Sequence, residues 1–435
     1  MSETTDIPIE DLRDAWVNLA AHGTPPASEI AGRVLPAWSV GLDAWLDRLT
    51  KVYLRDYSRR NAHFKLALAP YGGGKTHFLL SLEARAAAEN WATCYLQCKA
   101  NVSLGDWFGL YEHIAKAVKL PSSNRRGIKP LVQAALEQMR KRAEKAPEPE
   151  YALDEMITAL EDEDWPHSAF ARVVGGLLNH LRDPGANPEI GEAALRWLQG
   201  QPDTLTPTDR KGLHLQGVRG GDRSEHGRTL FYSLVKFVPQ SGVHGLTVLF
   251  DEMDTLLNAR GKALERILTS MRVMLDAPDG RMDRTPLFGV FAAVPDISEQ
   301  IRRYQALATR FQVLIPFHRG DDNCPQLDLS ELGKQDEMLR AIGEKLLELG
   351  IQVHGWKFDR NQQRRNLKLL ADATAARMLE VNARRLFVKA WCSLLEEQGR
   401  SGQRDYAESA LVDLIQGVYD SLRRNDQAAK EDNIG

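Results

Sequence analysis

The sequence has little sulfur chemistry to offer. Its four cysteines, Cys94, Cys98, Cys324 and Cys392, are spread over 435 residues, too few and too scattered for a disulfide framework. Cys94 and Cys98 flank a predicted strand at even spacing and should face one side of it. With no His/Cys pair nearby they read as buried thiols rather than metal ligands. No run of about eighteen apolar residues exists, which excludes a membrane-spanning helix, and the polar, acidic start from Met1 to Glu10 lacks an apolar signal core. HExxH, GxSxG and CxxC patterns are all missing, so nothing marks a metalloprotease, a serine hydrolase or a zinc site. Charge of one sign is missing too: 56 Lys and Arg against 59 Asp and Glu leave −3, so any nucleic-acid contact needs a local basic patch. A soluble, cytoplasmic protein without a membrane partner is expected.

What is present is a chain long enough for two or three domains, organised around Ala69-Pro70-Tyr71-Gly72-Gly73-Gly74-Lys75-Thr76. An apolar run (Leu66, Ala67, Leu68) precedes it, and Phe78, Leu79, Leu82 and Ala86 follow at near-helical spacing. Strand, glycine turn and helix start thus come in the order of a P-loop. Consecutive glycines let the backbone take positive φ and approach a ligand closely. N–H groups of such a turn, with a helix N-terminus behind, form an anion nest. Tyr71, Gly72, Gly73, Gly74, Lys75, Thr76 and His77 are therefore the expected nucleotide contacts, with Lys75 on the β- and γ-phosphates and the Thr76 hydroxyl on Mg²⁺. One departure stands: Ala69 occupies the place of the first glycine.

The second motif is Leu246-Thr247-Val248-Leu249-Phe250-Asp251-Glu252, an unbroken apolar run ending in two carboxylates, as expected of a strand buried on both faces. Asp251 suits the Mg²⁺ shell, and Glu252 suits the general base that activates the attacking water. Asp254 is less specific.

In chain order, Ile9 to Tyr57 reads as helical, broken at Gly23-Thr24-Pro25-Pro26, with Leu35 to Val40 able to cover a nucleotide base. Ala92 to Gln97 reads as a second strand. Leu104 to Gly200 is helical in pattern. Its first half is basic (Lys116, Lys119, Arg125, Arg126, Lys129, Arg140, Lys141, Arg142, Lys145) and its second acidic (Glu148 to Asp164). Two readings stand for it: a DNA- or partner-contacting arm, or solvated faces of opposite sign that pair. Gln201 to Glu225 reads as a loop. A helix over Lys262 to Leu275, a strand over Leu287 to Val294 and a short strand over Val313 to Pro316 follow. From Leu327 the pattern is helical, and Arg423 to Gly435 is polar enough for disorder. The expected division is 1–57, an N-terminal helical element; 58–320, an ATPase core with an insertion at about 104–200; 321–422, a helical lid; and 423–435, a tail. The fold class is α/β, with a parallel sheet flanked by helices.

These motifs are similar to those of AAA+ and related ATPases, which carry an extra strand between the P-loop strand and the acid-bearing strand. The resemblance implies ATP and Mg²⁺ as cofactors. It makes Arg310, in Thr309-Arg310-Phe311, a candidate arginine finger for a neighbouring subunit, with a structural salt bridge as the other reading. In Val381-Asn382-Ala383-Arg384-Arg385-Leu386 it makes Arg384, or else Arg385, a candidate sensor 2. The strand ending Ala292-Ala293-Val294-Pro295 lacks the polar sensor 1 residue, for which Asp296 is a weak substitute. More narrowly the chain resembles the BREX phage-defence ATP-binding proteins of the BrxD type. That resemblance rests on the Trp16 to Pro26 stretch with its Gly-Thr-Pro turn, Tyr71 to Leu79, Arg196-Trp197-Leu198-Gln199-Gly200, His244-Gly245-Leu246, Phe250-Asp251-Glu252-Met253 and Tyr304-Gln305-Ala306-Leu307. It implies an ATPase in a multi-protein system that marks host DNA by methylation and blocks phage replication. Other proteins of that system, DNA, and further copies in an ATP-dependent homo-oligomer are the expected partners. Three functions remain open: an ATPase that assembles or remodels a defence complex on DNA; a slowly hydrolysing nucleotide switch or scaffold; and an initiator- or transposition-type DNA-binding ATPase.

Overall fold

The computed structural model describes residues 7–26, 30–57, 62–98, 102–215, 222–254, 259–276, 286–311, 325–329, 335–376 and 383–431. They form two compact units. One gathers Met1–Asp47, Leu68–Ala84 and Asp328–Gly435; the other gathers Arg48–Ala67 and Arg85–Leu327. The units cut across the chain-order division expected from the sequence, because the phosphate-loop stretch groups with both chain ends.

The second unit is built on a five-stranded parallel sheet. Its strands are β1 (Ala62–Leu68), β2 (Ala92–Gln97), β3 (Leu246–Asp251), β4 (Leu287–Ala293) and β5 (Gln326–Asp328), in the order β2-β3-β4-β1-β5. β4 is thus the extra strand between the P-loop strand and the acid-bearing strand, and the fold is that of an AAA+-like P-loop NTPase. Every residue of β3 and β4 is buried, which is why both read as unbroken apolar runs rather than alternating ones. Phe291 stacks on Phe64 and Phe250 and meets Phe311 edge-on, tying three strands through one aromatic cluster.

Helices complete the order: α1 (Ile9–His22), α2 (Ala31–Val34), α3 (Asp43–Leu49), α4 (Lys75–Ala88), α5 (Trp107–Ala117), α6 (Ile128–Ala143), α7 (Pro149–Asp162), α8 (Phe170–Arg182), α9 (Pro188–Leu198), α10 (Pro207–Gly212), α11 (Arg223–Phe237), α12 (Lys262–Leu275), α13 (Ile297–Arg302), α14 (Gln305–Arg310), α15 (Gln335–His354), α16 (Arg360–Ala375), α17 (Ala383–Ser401) and α18 (Glu408–Glu431). Helices α5 to α11 form the insertion between β2 and β3. Prolines stand at the first turns of α7 and α9, where a missing N–H costs nothing. Helix α6 buries Leu131, Val132, Ala135, Leu136 and Met139 on one stripe against α7 and α8. The acidic half of the insertion pairs with Arg182 (Glu150, Asp154) and Lys236 (Glu163). Among the described residues no ion pair joins it to Arg140, Lys141, Arg142 or Lys145.

In the first unit α1 packs on α15 and α17, and α16 and α18 pack on α17. The Trp16 indole donates to Glu396, and the buried Trp391 indole to the Gly343 carbonyl, so each large ring is anchored at its polar edge.

Three expectations need correction. Gln201 to Glu225 is not all loop: Pro202–Thr204 is a 3₁₀ turn and α10 follows, opened by a capping box on Thr206 and Asp209. The last described strand is β5, just where the C-terminal helical region was expected to begin, while Val313 to Pro316 lies outside the described residues. Helix α18 runs to Glu431, into the stretch read as a disordered tail.

Candidate functional site

The glycine loop enters from β1 and ends in α4, whose first residue is Lys75. Gly72 and Gly74 have φ of 64° and 89°. At Gly73 a Cβ would lie 2.6 Å from the Ala69 methyl and 2.9 Å from the Pro70 oxygen. The alanine at the first-glycine position is therefore tolerated because Gly73 leaves it room. At Gly74 a Cβ would stand 3.0 Å from the Arg384 guanidinium. Such a cradle, closed to any side chain, fits a polyphosphate approached by backbone N–H groups. The Lys75 amine is buried and donates to the Ala69 carbonyl (3.0 Å) and the Pro70 carbonyl (3.3 Å), beside the Tyr71 ring.

Arg384, from the first turn of α17, donates through Nη1 to the Gly73 carbonyl at 2.6 Å. Burial holds its pKa below the usual arginine value. Arg385 turns to α1 and donates to the His22 carbonyl at 3.0 Å. Neighbouring positions on a helix diverge by about a quarter turn or more, so one arginine serves the loop and the other a helix C-terminus. Asn382 and Val381, of the same motif, lie outside the described residues.

Residues Trp38 to Val40 and Leu42 join Gly72, Gly74, His77, Met338, Ile342, Arg384 and Val388 around one cleft. The sequence offered Leu35 to Val40 as a base cover, and part of that stretch does line the cleft. His77 bonds Ser39 through its ring Nε2 and the hydroxyl. Burial first, then Arg384 and Lys345, push its pKa down to about 4, so the ring is neutral near pH 7. Lys345 holds the same segment, donating to the Ser39 carbonyl at 2.5 Å. Sequence reasoning offered Ser39 only within that stretch and missed Lys345, since nothing in the local pattern joins residue 39 to α15.

In the other unit, Asp251 ends β3 and is 1 % exposed. Its Oδ1 accepts from the Glu252 N–H at 2.8 Å and its Oδ2 from the Tyr95 hydroxyl at 2.6 Å. Glu252 holds φ of 56°, an uncommon conformation for a non-glycine residue that clusters at functional sites. Carboxylate oxygens of this kind suit a hard divalent cation such as Mg²⁺. Asp254 accepts from the Val294 N–H at 2.5 Å, tying the end of β3 to the end of β4 where sensor 1 was sought. Asp296 is exposed. Arg310 forms a two-pronged pair with Asp276 and also donates to the Ala306 carbonyl, which is the salt-bridge reading of this residue.

Cys94, Cys98 and Cys392 are buried free thiols, and burial pushes Cys98 up to about 12, consistent with inert core cysteines. Cys324 lies outside the described residues. Among the described residues no cluster of three metal-ligating side chains occurs and no helix is long and apolar enough to cross a membrane.

A family model described as BREX system ATP-binding protein BrxC/D matches residues 23–410. No curated protein and no solved structure matches the chain.

Proposed function

We propose, from the premise that this chain belongs to the BREX system ATP-binding protein BrxC/D family, that it hydrolyses the ATP it binds and uses the cycle to assemble or remodel a defence complex on DNA. The observation that carries this reading is the glycine cradle with Arg384 on its Gly73 carbonyl and a largely apolar cleft beside it. Gly72 to Thr76 and His77 contact the nucleotide, and Tyr71 flanks the loop. Lys75 exchanges its two loop carbonyls for phosphate oxygens, a stronger, charge-assisted partner. Thr76 and, separately, Asp251 are the residues that would hold Mg²⁺, whose charge would neutralise the phosphates. Glu252 accepts the proton of the attacking water as the terminal phosphate–oxygen bond breaks. Arg384 acts within the subunit. Arg310 acts across subunits once released from Asp276, which makes an ATP-dependent homo-oligomer part of the proposal. Within the family we favour the BrxD type, on the Trp197-Leu198-Gln199-Gly200 and Tyr304 to Leu307 segments. Other BREX proteins are the proposed partners, with DNA engaged through Arg140, Lys141, Arg142 and Lys145, none of them ion-paired to the insertion's acidic half.

Steady-state ATP turnover with and without duplex DNA tests the reading. Glu252→Gln should lower turnover by ~10²–10⁴-fold while leaving nucleotide affinity in place; wild-type turnover in the variant would remove Glu252 as the base. A second reading, a slow nucleotide switch or scaffold, is favoured by one observation. At the end of β4 the main chain bonds Asp254, and no polar side chain stands at the sensor position. It predicts tight ATP binding with turnover that DNA does not raise.

A further inference from the structure

The sequence reads Ala92 to Gln97, the later β2, as a strand and gives it no part in the site. The strand pairs in parallel with β3, and Gln97 stands opposite Asp251. Two residues earlier on the same face, Tyr95 reaches across and donates its hydroxyl to Asp251 Oδ2 at 2.6 Å. The other carboxylate oxygen takes the Glu252 N–H at 2.8 Å, and the Asp251 main-chain carbonyl takes the Cys98 N–H at 2.8 Å. The acid is therefore fixed at three points, two of them contributed by β2 and the residue that follows it. Cys98, also near both acids, is a buried thiol facing Met253. A carboxylate that could rotate would present either oxygen, or both, to a cation. With Tyr95 on one oxygen and the Glu252 N–H on the other, two donors set the rotation of the carboxylate that would meet a metal.

We propose that Tyr95 is a positioning residue for magnesium: its hydroxyl fixes the rotation of the Asp251 carboxylate and so sets the affinity with which Mg²⁺ joins the bound nucleotide. The inference rests on the reading of Asp251 as a metal ligand. In physical terms the tyrosine acts as outer-shell partners of ligating carboxylates do, where substitution costs roughly 10–100-fold in metal affinity.

The test is a titration on the full chain, reading the fluorescence of a mant-labelled ATP as Mg²⁺ is added, with the EDTA value as baseline. Tyr95→Phe should raise the half-saturating Mg²⁺ concentration by roughly 10–100-fold while leaving affinity in EDTA and the thermal melt near wild type. Tyr95→His, which returns a ring donor, should recover part of the loss. Asp251→Asn separates the two claims. If that variant keeps the wild-type Mg²⁺ response, Asp251 is not a ligand and the underlying reading fails. If Asp251→Asn loses the response but Tyr95→Phe keeps the wild-type midpoint, the tyrosine does not position the acid. Equal losses in Tyr95→Phe and Tyr95→His, with both melting early, would assign the effect to packing and overturn the proposal.

Discussion

Arg384 and Arg310 sit at the ends of two helices and meet quite different partners. Arg384 is half-buried and spends one N–H on a main-chain carbonyl of the glycine loop. Arg310 is exposed and held by both oxygens of Asp276. A carbonyl is a neutral acceptor that a phosphate oxygen outcompetes, since charge-assisted bonds are about twice as strong. A bidentate carboxylate is already charged and well matched to the guanidinium fork. The first arginine is thus poised for an anion, while the second must first leave a partner. In the proposed cycle that difference separates binding, which one copy performs, from turnover, which waits for a neighbour.

The comparison breaks most sharply in kinetics. Arg310→Ala should reduce ATP turnover by ~10³-fold or more, in the range found for fingers supplied to phosphoryl transfer, with nucleotide affinity unchanged. Turnover that stays within a few-fold of wild type would leave Arg310 as a surface salt bridge only.

Acid sharpens the contrast through His77, which shares the loop's buried surroundings with Arg384. Its folded pKa of about 4 lies below the ordinary histidine value of 6.5, so the folded state binds fewer protons than the unfolded chain. The stability this contributes is fully present above pH 6.5 and is lost as pH falls toward 4, by up to about 3 kcal/mol. Urea melts of wild type and His77→Gln over pH 4–7 should show the smaller acid loss in the variant. Parallel curves would mean that His77 does not titrate as its surroundings dictate.

A smaller effect is expected for Arg384→Ala. One hydrogen bond to a charged group is worth about 1.5–3 kcal/mol, so ATP affinity should fall by ~10–100-fold, measured by calorimetry. Arg385→Ala, which removes the bond to the His22 carbonyl, should leave that affinity unchanged and lower only the melting temperature. The smallest effect belongs to Asp276→Ala. An exposed pair contributes about 0.2–1 kcal/mol, so releasing Arg310 should raise turnover by at most about fivefold, measured at a fixed protein concentration.

Much of this was legible from local pattern. β2 and the helix over Lys262–Leu275 fall where the sequence put them, because continuous apolar runs and helical periodicity are local signals. The loop and the Asp251-Glu252 pair were legible for the same reason, each being a short motif with its own chemistry. Illegible were the side-chain meetings between distant segments: Tyr95 with Asp251, Asp254 with the Val294 amide, Lys345 with Ser39. A tyrosine in a strand reads as packing until the register of the neighbouring strand is known. The choice between Arg384 and Arg385 likewise needed the direction of α17, since sequence gives two adjacent arginines equal standing. β5 escaped because three residues with alternating burial carry too little pattern to distinguish from a helix start.

The most direct test of the central claim is ATP binding to wild type and Lys75→Ala, followed by calorimetry on the full chain. Losing a buried, charge-assisted contact to the phosphates costs about 2–5 kcal/mol, so affinity should fall by at least thirtyfold. Equal affinity in the two proteins would mean that the nucleotide is held somewhere other than the Gly72 to Thr76 loop.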